Sequence, residues 1–258
     1  MKNIGYKTLD LRLIHRETSF ATPFWSNRAR SAIFCAKQVL LLQKKKIVCG
    51  LWSIVLCLNL PTLWLNANME MGMDYLKKGV SLWNEEFLLK AEKEFQKEEN
   101  YYYLSLVQYR LATFYLVSEK NEQAKRYAEK GIENIKFAVE KNNNSAASYT
   151  ILGNLYGVIT GLSDNPLLQA KYGYFCLKNV KQAVEMEPKN SFSLLSLGIT
   201  YFNTPEEYGG GIDKAVEMLD KAIASDRGNV EAYIWLSRCY IKKGEIDKAK
   251  GFLRKALD

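Results

Sequence analysis

Apolar and small side chains recur through the second part of this chain in a fixed order that paired helices explain. Counting Val230 as position 1, Tyr233 falls at 4, Leu236 at 7, Ser237 at 8, Tyr240 at 11, Ala249 at 20, Leu253 at 24 and Ala256 at 27, with Gly244 between the two halves. Apolar residues three and four apart lie on one face of a helix, so the spacing predicts two helices broken near Gly244. Small residues at 8 and 20 let those helices approach closely, while 4, 7, 11 and 24 fill the space around the crossing. A small residue at 27 leaves room for a following pair.

The pattern repeats upstream. Leu194, Leu197, Gly198, Tyr201, Ala215, Leu219 and Ala222 form one unit, and Tyr149, Leu152, Gly153, Tyr156, Cys176, Ala183 and Pro188 another. Leu111, Ala112, Tyr115, Ala124, Ala128 and Gly131 form a third, and Gly79, Leu82, Ala91 and Phe95 a degenerate first one, in which Lys78 replaces an apolar residue. The small side chains at 79 and 91, 112 and 124, and 237 and 249 share one spacing. Insertions of 11 residues between Gly153 and Cys176, and of 5 between Gly198 and Ala215, lengthen the other two units.

Five tandem matches resemble the tetratricopeptide repeat, a helical family, across residues 70–258. The resemblance implies an all-α fold: a right-handed superhelical stack of antiparallel helix pairs, each burying its apolar face against its neighbours. It also implies which residues line the concave groove. These are Tyr109 and Thr113, then Asn154, then Leu195, Ile199, Phe202 and Asn203, and finally Ile234, Arg238 and Lys242. Leu116, Val117, Thr150, Gly157, Val158 and Ile241 share those positions, so the groove is mostly apolar. Members that clamp a peptide's terminal carboxylate carry Lys, Asn and Arg there, and that set is not matched.

Ahead of the repeats the chain changes character. Lys44-Lys45-Lys46 precede Ile47–Leu65, nineteen residues without a charge, and Asn66-Ala67-Asn68 follow. Basic flank, apolar run and small residue are the layout of a signal peptide, with cleavage expected after Ala67. A retained anchor also fits, because the run is long enough to span a bilayer. No small residue precedes Cys49 or Cys57, so a lipoprotein signal is not expected. Residues 1–43 form a basic leader longer than a bacterial signal needs. Its spacing suggests a translation start near Leu41 or Leu42, with an organellar transit sequence as the rival. The chain therefore divides into a leader over 1–43, a signal or anchor over 44–67 and the repeats over 70–258.

Charge narrows the partners. The formal charge of +8 arises in residues 1–46, where ten Lys and Arg face only Asp10 and Glu17. The rest holds 26 basic and 26 acidic residues, which argues against a phosphate-neutralising surface and against nucleic acid as partner. His15, in the leader, is the only histidine. Cys176 and Cys239, 63 residues apart, are outside any CxxC arrangement, so no metal site is expected, and the two thiols read as helix-packing residues.

Two local features invite a catalytic interpretation. Asn203-Thr204-Pro205-Glu206-Glu207-Tyr208-Gly209-Gly210-Gly211 has the glycines of a phosphate cradle but no preceding strand and no following Lys-Ser/Thr, so a flexible turn is expected. Adjacent Glu206 and Glu207 cannot flank a substrate as an acid–base pair does. The tyrosines at position 11 are expected in the core. No catalytic set and no cofactor is expected. The expected function is a non-enzymatic, exported scaffold, periplasmic or held at the inner membrane by the apolar segment alone, that takes a protein or peptide segment in its groove. The alternative is an accessory of a periplasmic solute transporter that binds a hydrophobic small ligand.

Overall fold

The computed structural model describes residues 69–141 and 143–257. The leader, the apolar segment with its cleavage site at Ala67, and Asn142 lie outside the described residues. Ten α-helices and one 3-10 turn make up the described chain, with no strand among the described residues. Helix α1 covers 69–81, α2 Glu85–Lys97, α3 Tyr101–Val117, α4 Asn121–Glu140 and α5 Ala146–Leu162. Helix α6 covers Pro166–Met186, α7 Ser191–Asn203, α8 Ile212–Ser225, α9 Val230–Lys242 and α10 Ile246–Lys255. Consecutive helices pack as pairs, and α3, α5, α7 and α9 touch in succession, so the pairs stack into a solenoid as the repeat implies.

Local chemistry sets the helix boundaries. Asn84, Asn100, Ser145, Asn165, Asn190 and Asn229 each cap a helix, the side-chain oxygen accepting a backbone N–H of the first turn. Such caps satisfy donors that the helix itself leaves unpaired. Pro166 opens α6, where its missing N–H costs nothing.

In units three and four the small residues meet where the spacing places them, whereas in unit one Gly79 meets Leu88, three residues before the expected Ala91. A Cβ added to Gly79 would sit 3.0 Å from the Leu88 amide nitrogen. One on Gly198 would sit 2.7 Å from Leu219 Cγ and 3.3 Å from the Ala215 carbonyl oxygen. Ala112, Ala124, Ala215 and Ala249 are buried at the equivalent places. Gly131, at position 27, faces Leu155 of the next pair, where a Cβ would lie 2.9 Å from that side chain.

Unit one departs from the pattern. Leu82, expected to fill the crossing, lies in the turn after α1 and is 61% exposed. Trp83, held at φ 47°, packs its ring 5.4 Å from Phe114 instead. The position-11 tyrosines pack as expected. Tyr115 and Tyr156 are buried, and Tyr240 stacks on Phe252 at 5.3 Å.

The two insertions are absorbed differently. Between Gly153 and Cys176 the extra residues extend both helices: α5 runs on to Leu162 and α6 starts at Pro166. By contrast α7 stops at Asn203 and α8 starts at Ile212, close to their crossing at Gly198 and Ala215. The fourth unit's insertion forms an ordered turn, not a slack one. Glu206–Tyr208 make the 3-10 turn, Gly209 and Gly211 take φ of 85° and 120°, and the Gly211 amide donates to the Tyr201 carbonyl at 3.0 Å. Those backbone angles favour glycine, so the glycines of this turn have a conformational cause.

The apolar core falls into two clusters, one reaching from Leu76 to Cys176 and the other from Leu194 to Cys239. Between α5 and α7 the contact includes two polar pairs. Thr150 and Ser193 share a hydrogen bond of 2.8 Å, and the Asn154 amide donates to Ser196 Oγ at 3.0 Å. Thr150, Ser193 and Ser196 are all buried, so each hydroxyl needs the partner it has.

Candidate functional site

The groove residues belong to α3, α5, α7 and α9, the first helix of units two to five, and the stack sets these four side by side. Leu195 is buried, while Tyr109, Thr113, Asn154, Ile199, Phe202 and Ile234 are half-buried and Asn203, Arg238 and Lys242 exposed. Burial pushes the Tyr109 phenol above its ordinary pKa, the neighbouring Arg110 opposes this, and Glu231 on α9 adds a further upward push.

Several of the polar candidates are already partnered. Asn154 bonds Ser196 in the seam, Thr113 Oγ1 donates to the Tyr109 carbonyl at 2.9 Å, and Asn203 Nδ2 donates to the Ile199 carbonyl at 2.9 Å. What remains is a cluster on α7 and α9. The Phe202 and Trp235 rings meet edge to face at 5.3 Å. The Arg238 guanidinium carbon lies 4.5 Å from the Trp235 centroid, and Lys242 Nζ 4.9 Å from the Phe202 centroid. Neither cation has a carboxylate partner among the described residues. Two aromatic faces thus carry two exposed cations, with half-buried Ile199 and Ile234 on the same helices.

Trp235 is missing from the expected groove set. Its signal was the spacing: Trp235 and Arg238 stand three apart on α9, the separation at which helix side chains meet.

Two hollows among the described residues lie on other surfaces. One, of about 400 Å³, opens between α2 and α4 over Leu104 and Gln108. There the buried Gln108 amide donates to Glu92 Oε1 at 3.1 Å and its oxygen accepts from Asn134 at 2.8 Å, so its polar floor is satisfied. The other, of about 350 Å³, is a shallow notch at Asn84, Glu85, Glu86 and Leu89.

Among the described residues no group of three or more His, Cys, Asp or Glu is placed to hold a metal ion. Cys176 and Cys239 are free and buried, and burial raises both thiols to about 11, so neither presents a thiolate near neutral pH. Glu206 and Glu207 lie side by side on the 3-10 turn with no third group facing them among the described residues.

Residues 210–258 match the family described as tetratricopeptide repeat. No curated protein matches the chain. Among solved structures, a thermophilic tetratricopeptide protein of Thermus thermophilus is similar, at 22% identity over 72% of this chain and 90% of that one, with a TM-score of 0.53. YrrB, described as a tetratricopeptide protein with an unusual peptide-binding site, matches at 19% identity over 76% and 90%, with a TM-score of 0.35. MamA from Desulfovibrio magneticus RS-1 matches at 15% identity over 74% and 93%, with a TM-score of 0.37.

Proposed function

We propose, for a chain that stands among the tetratricopeptide proteins by its repeat at residues 210–258 and by its fold, that it is a scaffold holding a protein segment in its concave groove. Tetratricopeptide proteins act in general as non-enzymatic scaffolds for protein contact. The observation that carries the groove assignment is the unpaired Arg238 and Lys242 laid over Trp235 and Phe202. An apolar floor with peripheral charge is how a groove takes an amphipathic helix or extended segment, with buried aromatic anchors giving affinity and rim charges steering the approach. The transporter-accessory alternative needs room for a ligand between Tyr109, Leu195, Phe202 and Ile234. Leu195 is buried and Phe202 is packed on Trp235, which favours the segment-binding role.

Export to the cell envelope belongs to the same proposal and rests on the sequence of residues 44–67. Mass spectrometry of the mature chain tests it: a first residue of Asn68 fits cleavage, and peptides from within residues 1–40 would refute the short leader. For the groove, a photo-crosslinking residue at Ile199 in the full chain should trap polypeptide from envelope extracts, and one at Lys125 on α4 should not. Arg238→Glu with Lys242→Glu should remove the Ile199 adducts while leaving helicity and melting unchanged. Identical adducts with and without the double substitution would refute the groove assignment.

A further inference from the structure

Helix α6 stands apart from every other second helix of the stack. It starts ten residues before Cys176, whereas α4, α8 and α10 each start three residues before the equivalent Ala124, Ala215 and Ala249. At about 1.5 Å per residue, its first turns run roughly 10 Å beyond the starts of α4 and α8, beside the lengthened end of α5. The tip is apolar: Leu167 is 81% exposed and Leu168 41%, although Asn165 caps the turn that displays them. Leu167, Lys171, Tyr174, Lys178 and Lys181 follow at intervals of three and four, so they share one face, opposite the buried Cys176, Val180 and Ala183.

That face is also unlike the rest of the body in charge. Between Asp164 and Glu185 there is no carboxylate, a stretch that holds Lys171, Lys178 and Lys181. Lys171, Lys178 and Lys181 are exposed and have no ion-pair partner among the described residues. The ion pairs nearby in the chain, Lys221 with Glu217 and Lys243 with Asp213, are made elsewhere. The opposing groups on this element are Asp164 beside the tip and the exposed Glu185, which follows Lys181 by four residues at the far end of the same face.

We propose that the outward face of α6, led by Leu167 and Leu168, docks on an anionic phospholipid surface. A helix with an apolar edge and a lysine-bearing flank lies in the interface of an anionic bilayer, the apolar side chains entering the acyl boundary and the ammonium groups meeting the phosphates. Tyr174, 62% exposed, has the apolar body and polar tip that suit the headgroup level. Two adjacent exposed leucines can enter a soft interface without needing a matching pocket, which favours lipid over an acidic protein. The proposal depends neither on the groove, which lies on other helices, nor on whether the apolar segment Ile47–Leu65 is kept.

Lysine acylation of the full chain, read residue by residue by mass spectrometry, tests it. On vesicles with about one third phosphatidylglycerol in phosphatidylcholine, Lys171, Lys178 and Lys181 should react at least about fivefold more slowly than on phosphatidylcholine alone, and Lys242 equally on both. The basic leader and apolar segment are present in both arms, and Lys242 reports any tethering that they alone produce. Equal rates on the two vesicles would overturn the proposal. Soluble polyglutamate protecting the three lysines as well as the anionic vesicles do would overturn it in favour of an acidic protein. Full protection in Leu167→Ser, Leu168→Ser would also overturn it, because lysines alone would then account for the effect.

Discussion

Gly198 lies so close to the second helix of its unit that a single added carbon would meet Leu219 Cγ at 2.7 Å and the Ala215 carbonyl oxygen at 3.3 Å. The side chain can shift but the backbone carbonyl cannot, so bulk at this position must push α7 and α8 apart. Gly198→Leu should lower stability by about 1–3 kcal/mol or more. Gly161 is the internal control, since nothing lies within 4 Å of its added Cβ. Gly161→Ala on α5 should be neutral or raise stability by about 0.5–1 kcal/mol through helix propensity. Thermal melts of both variants check the pair, and an unaltered curve for Gly198→Leu would contradict this helix crossing.

The seam between α5 and α7 predicts a non-additive pair. Thr150→Val removes the partner of the buried Ser193 hydroxyl and should cost about 1–3 kcal/mol. Adding Ser193→Ala removes the stranded group, so the double variant should be more stable than Thr150→Val alone. Urea midpoints of the four species complete the cycle.

Ser237 Oγ is buried and has no hydrogen-bond partner. Ser237→Ala keeps a small side chain at the crossing of α9 and α10, removes an unmet polar group and improves helix propensity. It should raise stability by about 1 kcal/mol. A melting temperature equal to or below that of the parent would show that the hydroxyl has a role this geometry does not reveal.

Alkaline pH should weaken the fold. Burial holds the Cys176 and Cys239 thiols at about 11 against an ordinary value of 9.0. Burial, then the hydrogen bond to Glu85 at 2.6 Å, raises the Tyr115 phenol well above its usual range. In each case the folded state holds its proton more tightly than the unfolded one, so this stability is fully present below pH 9 and falls as pH climbs through the raised values. Urea midpoints should be flat from about pH 7 to 8.5 and decline above about 9, with Cys176→Ala showing a shallower decline between 9 and 11.

The later crossings were legible in the sequence because close packing leaves one solution: where helices nearly touch, the side chain must be small, and Gly153, Gly198 and Ser237 are, while Gly79 is small but meets Leu88 and not the expected Ala91. Cys176 was placed correctly across an 11-residue insertion for the same reason, since a Cβ on Gly153 would meet its carbonyl oxygen at 3.1 Å. What the spacing did not reveal was pairing between units. Thr150 and Ser193 are 43 residues apart, and polar residues at concave positions look alike whether they bond each other or await a partner. Nor did it show that Trp83 would replace Leu82, because that exchange depends on a left-handed turn residue that no periodicity encodes.

Apolar surfaces slide over one another at little cost, whereas a hydroxyl pair at 2.8 Å and an amide–hydroxyl pair at 3.0 Å hold only at one rotation and one offset. The two bonds joining α5 to α7 therefore act as an index mark. They set the angle at which the C-terminal block meets the N-terminal one, and with it the distance that any occupant must bridge from Tyr109 to Arg238.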